Sequence, residues 1–286
     1  MAKFINPFTD VGFKRIFGQE FSKPVLLAFL NSLLEGERRI VDIQYLDKEK
    51  LGMSDGNRSL IYDILCETDT GEYIIVEMQN KSQPYFKNRS VYYVSRSIIE
   101  QGERGSDWEY EINAVYLVAF LNFHMEGLGD EFRTDVALMD MRRLRLFSDK
   151  VRMTFLQLPC FTKEIDDCEN TFERIIYVLK HMEILQRMPF LAQDAVFKRL
   201  SEIAEVAALS KEERRQYDES LKHYRDTIAV MHGQYLEGME KGMEKGMEKG
   251  EAKANRDNAR RMKVDGMSID LIAKYTGLTA DEIAAL

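Results

Sequence analysis

The pattern of apolar residues predicts two neighbouring β-strands in the first third of the chain. Residues 60–67 and 73–79 are rich in β-branched and aromatic residues, and they flank the loop Asp69-Thr70-Gly71. A three-residue loop with glycine in its last position predicts a type I turn followed by a G1 bulge. That turn fixes the register of the hairpin and places Asp63 directly opposite Glu77.

Both faces of the predicted hairpin are mostly apolar. One face carries a continuous apolar row, with Leu60, Tyr62, Ile64 and Cys66 opposite Ile74, Val76 and Met78. The other face mixes apolar and polar residues: Ile61, Leu65, Tyr73 and Ile75 with Asp63, Glu77 and Gln79. A slip of one residue would exchange the two faces and set the apolar row against polar partners, so the register is well specified.

The two facing carboxylates are the feature of the hairpin that points to chemistry. Acidic side chains on a hairpin ordinarily face solvent, but the apolar neighbours of Asp63 and Glu77 argue against that interpretation. Facing carboxylates repel by about 1 kcal/mol in water and by more in a half-buried site, so they need a cation or a shared proton. A Mg²⁺ or Mn²⁺ ion is the simpler hypothesis, because such ions accept carboxylates and water, and metal-bound water attacks phosphodiesters.

The order of predicted elements extends the pattern beyond the hairpin. A helix over about 10–34 and a strand at 40–46 precede it, and a helix over about 83–101 and a strand at 112–123 follow it. This order resembles the core of the PD-(D/E)XK nucleases, in which helices flank a mixed sheet. The expected fold class is therefore a restriction-endonuclease-like α/β core with an α-helical C-terminal tail.

Three sequence motifs narrow the resemblance to one branch of that superfamily. They are NPFTDVGFKRIFG at 6–18, FLNSLL at 29–34 and RSVYYVSR at 89–96. Together they resemble the Rpn branch of recombination-promoting nucleases and transposases, over about residues 4–160. The resemblance implies a metal-dependent DNA endonuclease whose phosphodiester hydrolysis serves recombination or mobile elements.

The resemblance also implies roles for the polar residues of the hairpin. Asp63 and Glu77 would hold the metal ion, and Gln79 would polarise the attacking water or the phosphate. Tyr62 replaces the proline that gives the motif its name, and Gln79 stands where most of the superfamily has lysine. An amide carries no charge and cannot act as a base near neutral pH, although the Rpn branch also uses glutamine here. The alternative is a nucleic-acid-binding or partner-binding protein that keeps the nuclease fold with weak catalysis or none.

The net charge restricts how the chain could bind DNA. Its 286 residues carry a formal net charge of -8, which argues against a uniformly basic nucleic-acid binder. A local basic edge is compatible with that charge, since Arg89 and Arg96 share one face of the predicted helix with Tyr93 close by. These three residues are predicted to contact DNA beside the metal. The alternative is that the tyrosine belongs to the core and the arginines are solvated.

The first predicted helix supplies two further candidates. Asp10 and Lys14 lie four residues apart on one helical face, and Phe13 and Phe17 are spaced to anchor the helix to the sheet. Because the first helix of the nuclease fold commonly borders the active site, the resemblance implies an accessory role, with Asp10 on a metal-bound water or Lys14 on a phosphate. The alternative is an ordinary surface ion pair worth about 0.3 to 0.5 kcal/mol.

Cysteine spacing, histidine spacing and hydropathy exclude several other classes. Cys66, Cys160 and Cys168 form no CxxC pair, which predicts a reducing, cytoplasmic compartment. The four histidines lack zinc-ligand spacing, and no glycine-rich phosphate loop ending in lysine is present. The start of the chain leads into no apolar signal segment, and the longest apolar run, 114–121, is too short to span a bilayer. Neither secretion nor membrane insertion is expected.

Beyond the nuclease-like part, the chain is predicted to be helical. Apolar residues recur there at intervals of three and four, and Ser210 and Glu213 form a capping box that opens a further helix. The predicted division is a nuclease-like domain at 1–160, a helical extension at 161–236 and a repeat arm with a small helix-turn-helix-like end at 237–286.

The last part of the chain contains a short repeat. The unit Gly-Met-Glu-Lys recurs over 238–250 and predicts either a close helical neighbour or a mobile arm, since each glycine weakens a lone helix by about 1 kcal/mol. The segment 267–283 resembles a small helix-turn-helix, but Asp281 and Glu282 on its second helix disfavour DNA reading. Packing, or assembly of a homo-oligomer through this tail, is the favoured hypothesis.

Overall fold

The computed structural model describes residues 2–46, 62–102, 109–191 and 194–286, and the chain divides into two compact units, 1–224 and 225–286. The first unit contains, in chain order, α1 (Asp10–Phe17), α2 (Lys23–Leu33), β1 (Ile43–Tyr45), β2 (Ile64–Thr68), β3 (Tyr73–Gln79), α3 (Phe86–Ile99), β4 (Val115–Leu121), β5 (Arg133–Asp140), β6 (Arg145–Gln157), α4 (Thr171–His181) and α5 (Ala195–Ala204). The helix α6 (Lys211–Val264) begins in the first unit and ends in the second, which also contains α7 (Ile269–Thr276) and α8 (Ala280–Ala284).

Within the described residues, six strands form one mixed sheet in the order β1-β2-β3-β4-β6-β5. The pairs β1/β2, β2/β3 and β5/β6 are antiparallel, whereas β3/β4 and β4/β6 are parallel. A parallel pair needs a crossover connection, and α3 provides it between β3 and β4. This mixed sheet flanked by helices confirms the predicted α/β fold.

The β2–β3 hairpin has the register that the sequence predicts. Ile64 lies opposite Val76, so Asp63 is in line with Glu77. The strand itself is shorter than predicted, because β2 begins only at Ile64 and Asp63 occupies a bend before it. Residues 60–61, also predicted as strand, lie outside the described part of the chain.

The predicted turn accounts for this register. Gly71 has a φ of +86°, in the left-handed region, and its N–H donates to the Thr68 carbonyl at 3.0 Å. A Cβ at this position would also lie only 2.9 Å from Asn113 Nδ2. The loop therefore requires glycine both for its backbone conformation and for its close neighbour.

The bend at Asp63 corrects one predicted side-chain direction. Strict alternation would place Tyr62 beside Ile64, but Tyr62 belongs to the cluster on the opposite face of the sheet. There its ring meets the ring of Tyr93 edge to face, with centroids 4.9 Å apart. The alternation fails because Tyr62 precedes the bend and is not part of the strand.

Helices cover the two faces of the sheet unequally. Face one is the side on which α1, α2, α4 and α5 pack around the strand residues Ile74, Val76, Val118 and Phe120. Face two is the side on which α3 packs against Leu65, Ile75, Leu117 and Ala119. Since side chains alternate along a strand, Glu77 points to face two with Ile75.

Several predicted boundaries are wrong in detail. The single helix predicted over 10–34 is two helices, because Gly18 caps α1 and Pro24 lies in the first turn of α2. The strand β3 has the predicted bounds, whereas β1, α3 and β4 are shorter at both ends than the sequence pattern indicates. The strands β5 and β6 were not among the predicted elements.

The β5–β6 hairpin extends past the rest of the sheet. Because β6 pairs with β4 only from Val151 onward, the part of the hairpin from Leu138 to Ser148 pairs only within itself, and we call residues 138–148 the arm. Two register shifts flank Leu138 in β5, as is common in edge strands.

The helical C-terminal prediction is confirmed. Glu213 N–H donates to Ser210 Oγ at 3.2 Å, and Ser210 N–H donates to Glu213 Oε2 at 2.7 Å, so the predicted capping box opens α6. The repeat at 238–250 is an exposed part of that helix. In the second unit, Ala259, Ile272 and Ile283 form a small core. None of the described helices combines the length and the apolar character needed to cross a membrane. The three-part domain division stays a prediction.

Candidate active site

Two carboxylates meet where β2 begins and β3 ends. The Glu77 side chain is buried, with 2% exposure, and its Oε1 accepts a hydrogen bond from Asp63 N–H at 3.2 Å. In return, Asp63 Oδ2 accepts one from Met78 N–H at 2.8 Å. Each carboxylate is thus oriented by the backbone of the neighbouring strand, and the predicted pair is brought together.

Gln79 and the apolar surroundings both affect the Glu77 carboxyl. Gln79 Nε2 donates to Glu77 Oε2 at 3.1 Å. Burial, followed by the nearby charge of Asp63, raises the pKa of Glu77 to about 8, although the Asp63 N–H, the Arg89 charge and the Gln79 amide oppose the rise. Two acidic groups in this position favour a bound cation or a shared proton.

Arg89 is the basic residue closest to this pair among the predicted DNA contacts. From α3, its Nη2 lies 4.0 Å from Glu77 Oε2, and its Nη1 donates to Gln83 Oε1 at 2.8 Å. The guanidinium also lies over the rings of Phe86 and Tyr93, at 5.0 and 5.6 Å from their centroids. Its Nε is buried without a hydrogen-bond partner in the described residues.

The other two predicted DNA contacts lie in different surroundings. Tyr93 is buried, and that burial, with a smaller contribution from Glu77, raises its pKa to about 12. Arg96 forms an ion pair with Glu100, with 2.5 Å between Nε and Oε1. Tyr93 therefore supports the site from within the core, and Arg96 is engaged farther along α3. DNA contact by these residues stays a prediction.

Asp10 and Lys14 form the predicted ion pair, with 2.5 Å between Oδ1 and Nζ. Their helix is anchored through Phe13 on face one, opposite the face that carries the carboxylates. The loop before this helix does reach the end of β3, where Asn80 Nδ2 donates to the Phe8 carbonyl at 2.5 Å. The accessory role of Asp10 and Lys14 stays a prediction.

Comparison with known families agrees with this geometry. The family model described as PD-(D/E)XK nuclease family transposase matches residues 7–234. The chain belongs to this family. The match spans the whole sheet and all the candidate site residues named above. No curated protein and no solved structure shows a significant match to the chain.

The donor set of this family member fits a hard divalent cation. Asp63 and Glu77 offer carboxylate oxygens, and the burial of Glu77 makes neutralisation by a cation favourable. Within the described residues, no group of three or more His, Cys, Asp or Glu is positioned to hold a metal. Asp63 and Glu77 are the two carboxylates that would hold such an ion, and Mg²⁺ commonly accepts one or two carboxylates together with water.

One buried polar residue next to the motif was not among the predicted site residues. Asn80 directly follows Gln79, and its Oδ1 is buried without a hydrogen-bond partner in the described residues. An acceptor in that state is costly unless something else binds it. The sequence could have indicated Asn80, because it directly follows the strand that carries Glu77 and Gln79.

Proposed function

We propose that this PD-(D/E)XK nuclease family transposase is a metal-dependent DNA endonuclease, with Asp63 and Glu77 as the metal ligands. Membership of the family supports nuclease activity and DNA as the substrate. The observation that carries the proposal is the buried Glu77 carboxylate, which interacts with Asp63, Gln79 and Arg89 at one end of the sheet. The same proposal includes Mg²⁺ or Mn²⁺ as the ion.

The residues around Glu77 have different roles in the proposed hydrolysis. When bound, the ion would lower the pKa of a coordinated water and polarise the phosphate. Gln79 holds Glu77 through its Nε2, which leaves its carbonyl oxygen as an acceptor that orients a water molecule. Being uncharged, Gln79 cannot supply the positive charge that a lysine would bring to the phosphate.

Arg89 supplies that charge in our proposal. It is the cation nearest Glu77 in the described part of the chain, and its side chain is 30% exposed, so a phosphate can reach it. Its guanidinium presents several donors in one plane and suits a phosphate better than a point charge does. The rings of Phe86 and Tyr93, with centroids 5.0 and 5.6 Å from the guanidinium carbon, hold it in place.

Cleavage of supercoiled plasmid tests this function. The wild-type chain is expected to nick or linearise plasmid with Mg²⁺ or Mn²⁺ and to be inactive with a chelator. Asp63→Ala and Glu77→Ala should each abolish cleavage without lowering the melting temperature, because each removes a metal ligand and also relieves the repulsion between the carboxylates.

Glu67→Ala is the matched control, since Glu67 is a carboxylate on the same hairpin, paired with Tyr73 and away from the site. It should cleave normally. Undiminished cleavage by either site variant would remove Asp63 and Glu77 from the mechanism.

A binding protein with little or no catalysis is the second candidate. The amide at Gln79 and the net charge of -8 favour it. In that case the wild-type chain binds a DNA duplex and shifts its band in a gel-shift assay, but leaves plasmid intact at every metal concentration. Metal-dependent cleavage that is lost in Glu77→Ala would exclude this candidate.

A further inference from the structure

The arm exposes large apolar side chains to an unusual degree. Met141 is 83% exposed and Phe147 is 79% exposed, and Leu144 and Leu146 are exposed between them. Arg142, Arg143 and Arg145 are interleaved with these four residues. Large apolar side chains that are exposed together at one end of a hairpin are costly in water, which indicates a site of interaction.

The tip of the arm is held in one conformation. Asp140 Oδ1 accepts hydrogen bonds from the N–H groups of Arg142 and Arg143, and its Oδ2 pairs with the Arg143 guanidinium at 3.0 Å. Leu144 has a φ of +52°, in the left-handed region, where the Cβ of a leucine strains the backbone. An ordered turn that keeps a strained, exposed leucine is what a preformed docking anchor requires.

The arm is distant from the candidate active site. Glu77 lies in register with Ala119 and so with Phe155, whereas Leu144 is at the other end of the same hairpin. At about 3.3 Å per residue, the tip is about 36 Å from the row of Glu77. The arm therefore does not contact the phosphate held at the carboxylates.

Apolar side chains lie on both strands of the arm. Met139 is opposite Leu146, Leu138 is opposite Ser148, and Phe147 is the unpaired residue at the register shift between these two pairs. A cavity with an apolar wall in a protein partner would remove such side chains from water.

The chain itself has a cavity of that kind beside the base of the arm. Its volume is about 400 Å³, and its apolar wall includes Leu34, Tyr116 and Val151. Three acids line the same cavity, Glu37, Asp135 and Asp149, together with Arg38 and Arg152 and with Met139 and Leu146 from the base of the arm. Arg38 is paired with Glu72. Whereas Glu37 and Asp135 interact with Arg152, Asp149 has no ion-pair partner among the described residues.

The charges that lack an ion-pair partner have opposite signs on the arm and at the cavity. Arg142 and Arg145 of the arm have no ion-pair partner in the described part of the chain, and Asp149 is the matching acid at the cavity. Because the arm and the cavity of one chain are adjacent, a two-fold axis beside β5 would bring each arm to the cavity of the other copy. Such an arrangement would satisfy both sets of charges at once.

We propose that two copies of this chain associate by reciprocal docking of the arm into this cavity. Leu144 and Phe147 are the apolar anchors, and Arg142 and Arg145 face Asp149 of the second copy. This inference is independent of catalysis, since none of these residues belongs to the proposed nuclease site.

Sedimentation equilibrium of the full-length chain tests the proposal with three variants. They are the apolar variant Leu144→Ser/Phe147→Ser, the arm-charge variant Arg142→Glu/Arg145→Glu and the cavity-charge variant Asp149→Arg. Each should lose one association step, which halves the mass at micromolar concentration whether or not the C-terminal tail assembles chains as well. Ile99→Ser and Arg215→Glu change similarly exposed residues on helices and should leave the mass unchanged.

Mixing the two charge variants is the decisive measurement. In a mixed pair, the wild-type arm of the cavity-charge variant meets the wild-type cavity of the arm-charge variant, and the reversed charges also match at the second contact. The mixture should therefore regain the association step that each variant lacks alone.

Three results would overturn the proposal. The first is a wild-type mass equal to that of all three variants. The second is a mixture that does not regain mass although both charge variants melt like wild type. The third is variants of the arm that keep the wild-type mass but lose binding to a DNA duplex or to anionic vesicles. The last result would assign the arm to nucleic acid or lipid instead.

Discussion

The molecule contains two β-hairpins that have opposite designs. The β2–β3 hairpin has a regular ladder and lies inside the sheet, and it holds two carboxylates in register. The β5–β6 hairpin has two register shifts, lies at the sheet edge and exposes the apolar residues of the arm. The first hairpin buries polar groups inside the sheet, and the second exposes apolar groups at its tip.

The difference shows where regularity is needed. Two acids at fixed positions require a ladder without slips, because one slipped residue would turn Glu77 away from Asp63. An exposed edge benefits from irregularity, since bulges prevent uncontrolled strand pairing with other chains. Hence the register is constant along the site hairpin, whereas the arm has specific polar contacts at its turn.

The largest expected effect concerns the charge beside the site hairpin. Arg89→Met should lower cleavage by about 10²- to 10³-fold, the usual loss when one transition-state donor is removed. Adding Gln79→Lys should restore much of it, because the lysine returns a positive charge to the same phosphate. Calorimetric titration should show tighter Mg²⁺ binding by Arg89→Met, since a cation 4.0 Å from Glu77 is gone.

Lys87→Met is the control for that experiment, as Lys87 is an exposed cation on the same helix. If Arg89→Met cleaves normally, or if Gln79→Lys fails to rescue it while both variants bind metal, Arg89 is not the source of the charge.

A smaller effect is expected at the loop that sets the register. Gly71→Ala should cost about 1 to 2 kcal/mol for its positive φ, and more for the approach to Asn113, and it should reduce cleavage as the carboxylates move apart. Gly129→Ala has a comparable φ of +71° but open space around it. Denaturant unfolding measures the stability of both variants, and the plasmid assay measures their cleavage. If both variants lose the same stability and both cleave normally, the Gly71 loop does not set the register of the carboxylates.

The smallest effect is expected at the tip of the arm, and its sign is opposite. Leu144→Gly relieves the strained backbone, although glycine gains freedom in the unfolded chain, so stability at low protein concentration should rise by about 1 kcal/mol or less. Leu146→Gly, in a strand, should destabilise instead. Urea titration of the two variants checks this, and destabilisation by Leu144→Gly would show that the leucine is not strained.

The site hairpin was predictable because its determinants are local. Gly71 and the alternation of apolar residues specify the register from within one short segment, and the opposition of Asp63 to Glu77 follows. Tyr62 was assigned to the wrong face because nothing local marks the bend at Asp63.

Other features depend on contacts distant in sequence. The approach of Arg89 to Glu77 requires α3 to pack on face two, which helix spacing alone does not specify. The arm escaped prediction because its apolar residues occupy both faces and its register shifts, so it lacks the period-two pattern of a half-buried strand. The break at Gly18 was hidden by the helical pattern on both sides of it.

The local closure of the β2–β3 hairpin has a consequence for the order of folding. A hairpin of this size forms in about 1 to 10 μs, whereas the parallel pairing of β3 with β4 must wait until the chain has closed the longer crossover. Asp63 and Glu77 are therefore expected to meet while both are still hydrated, when their repulsion is weakest. Only the later arrival of α3 removes water from Glu77, so the cost of burying this carboxylate falls on the final docking of the helix and not on nucleation of the fold.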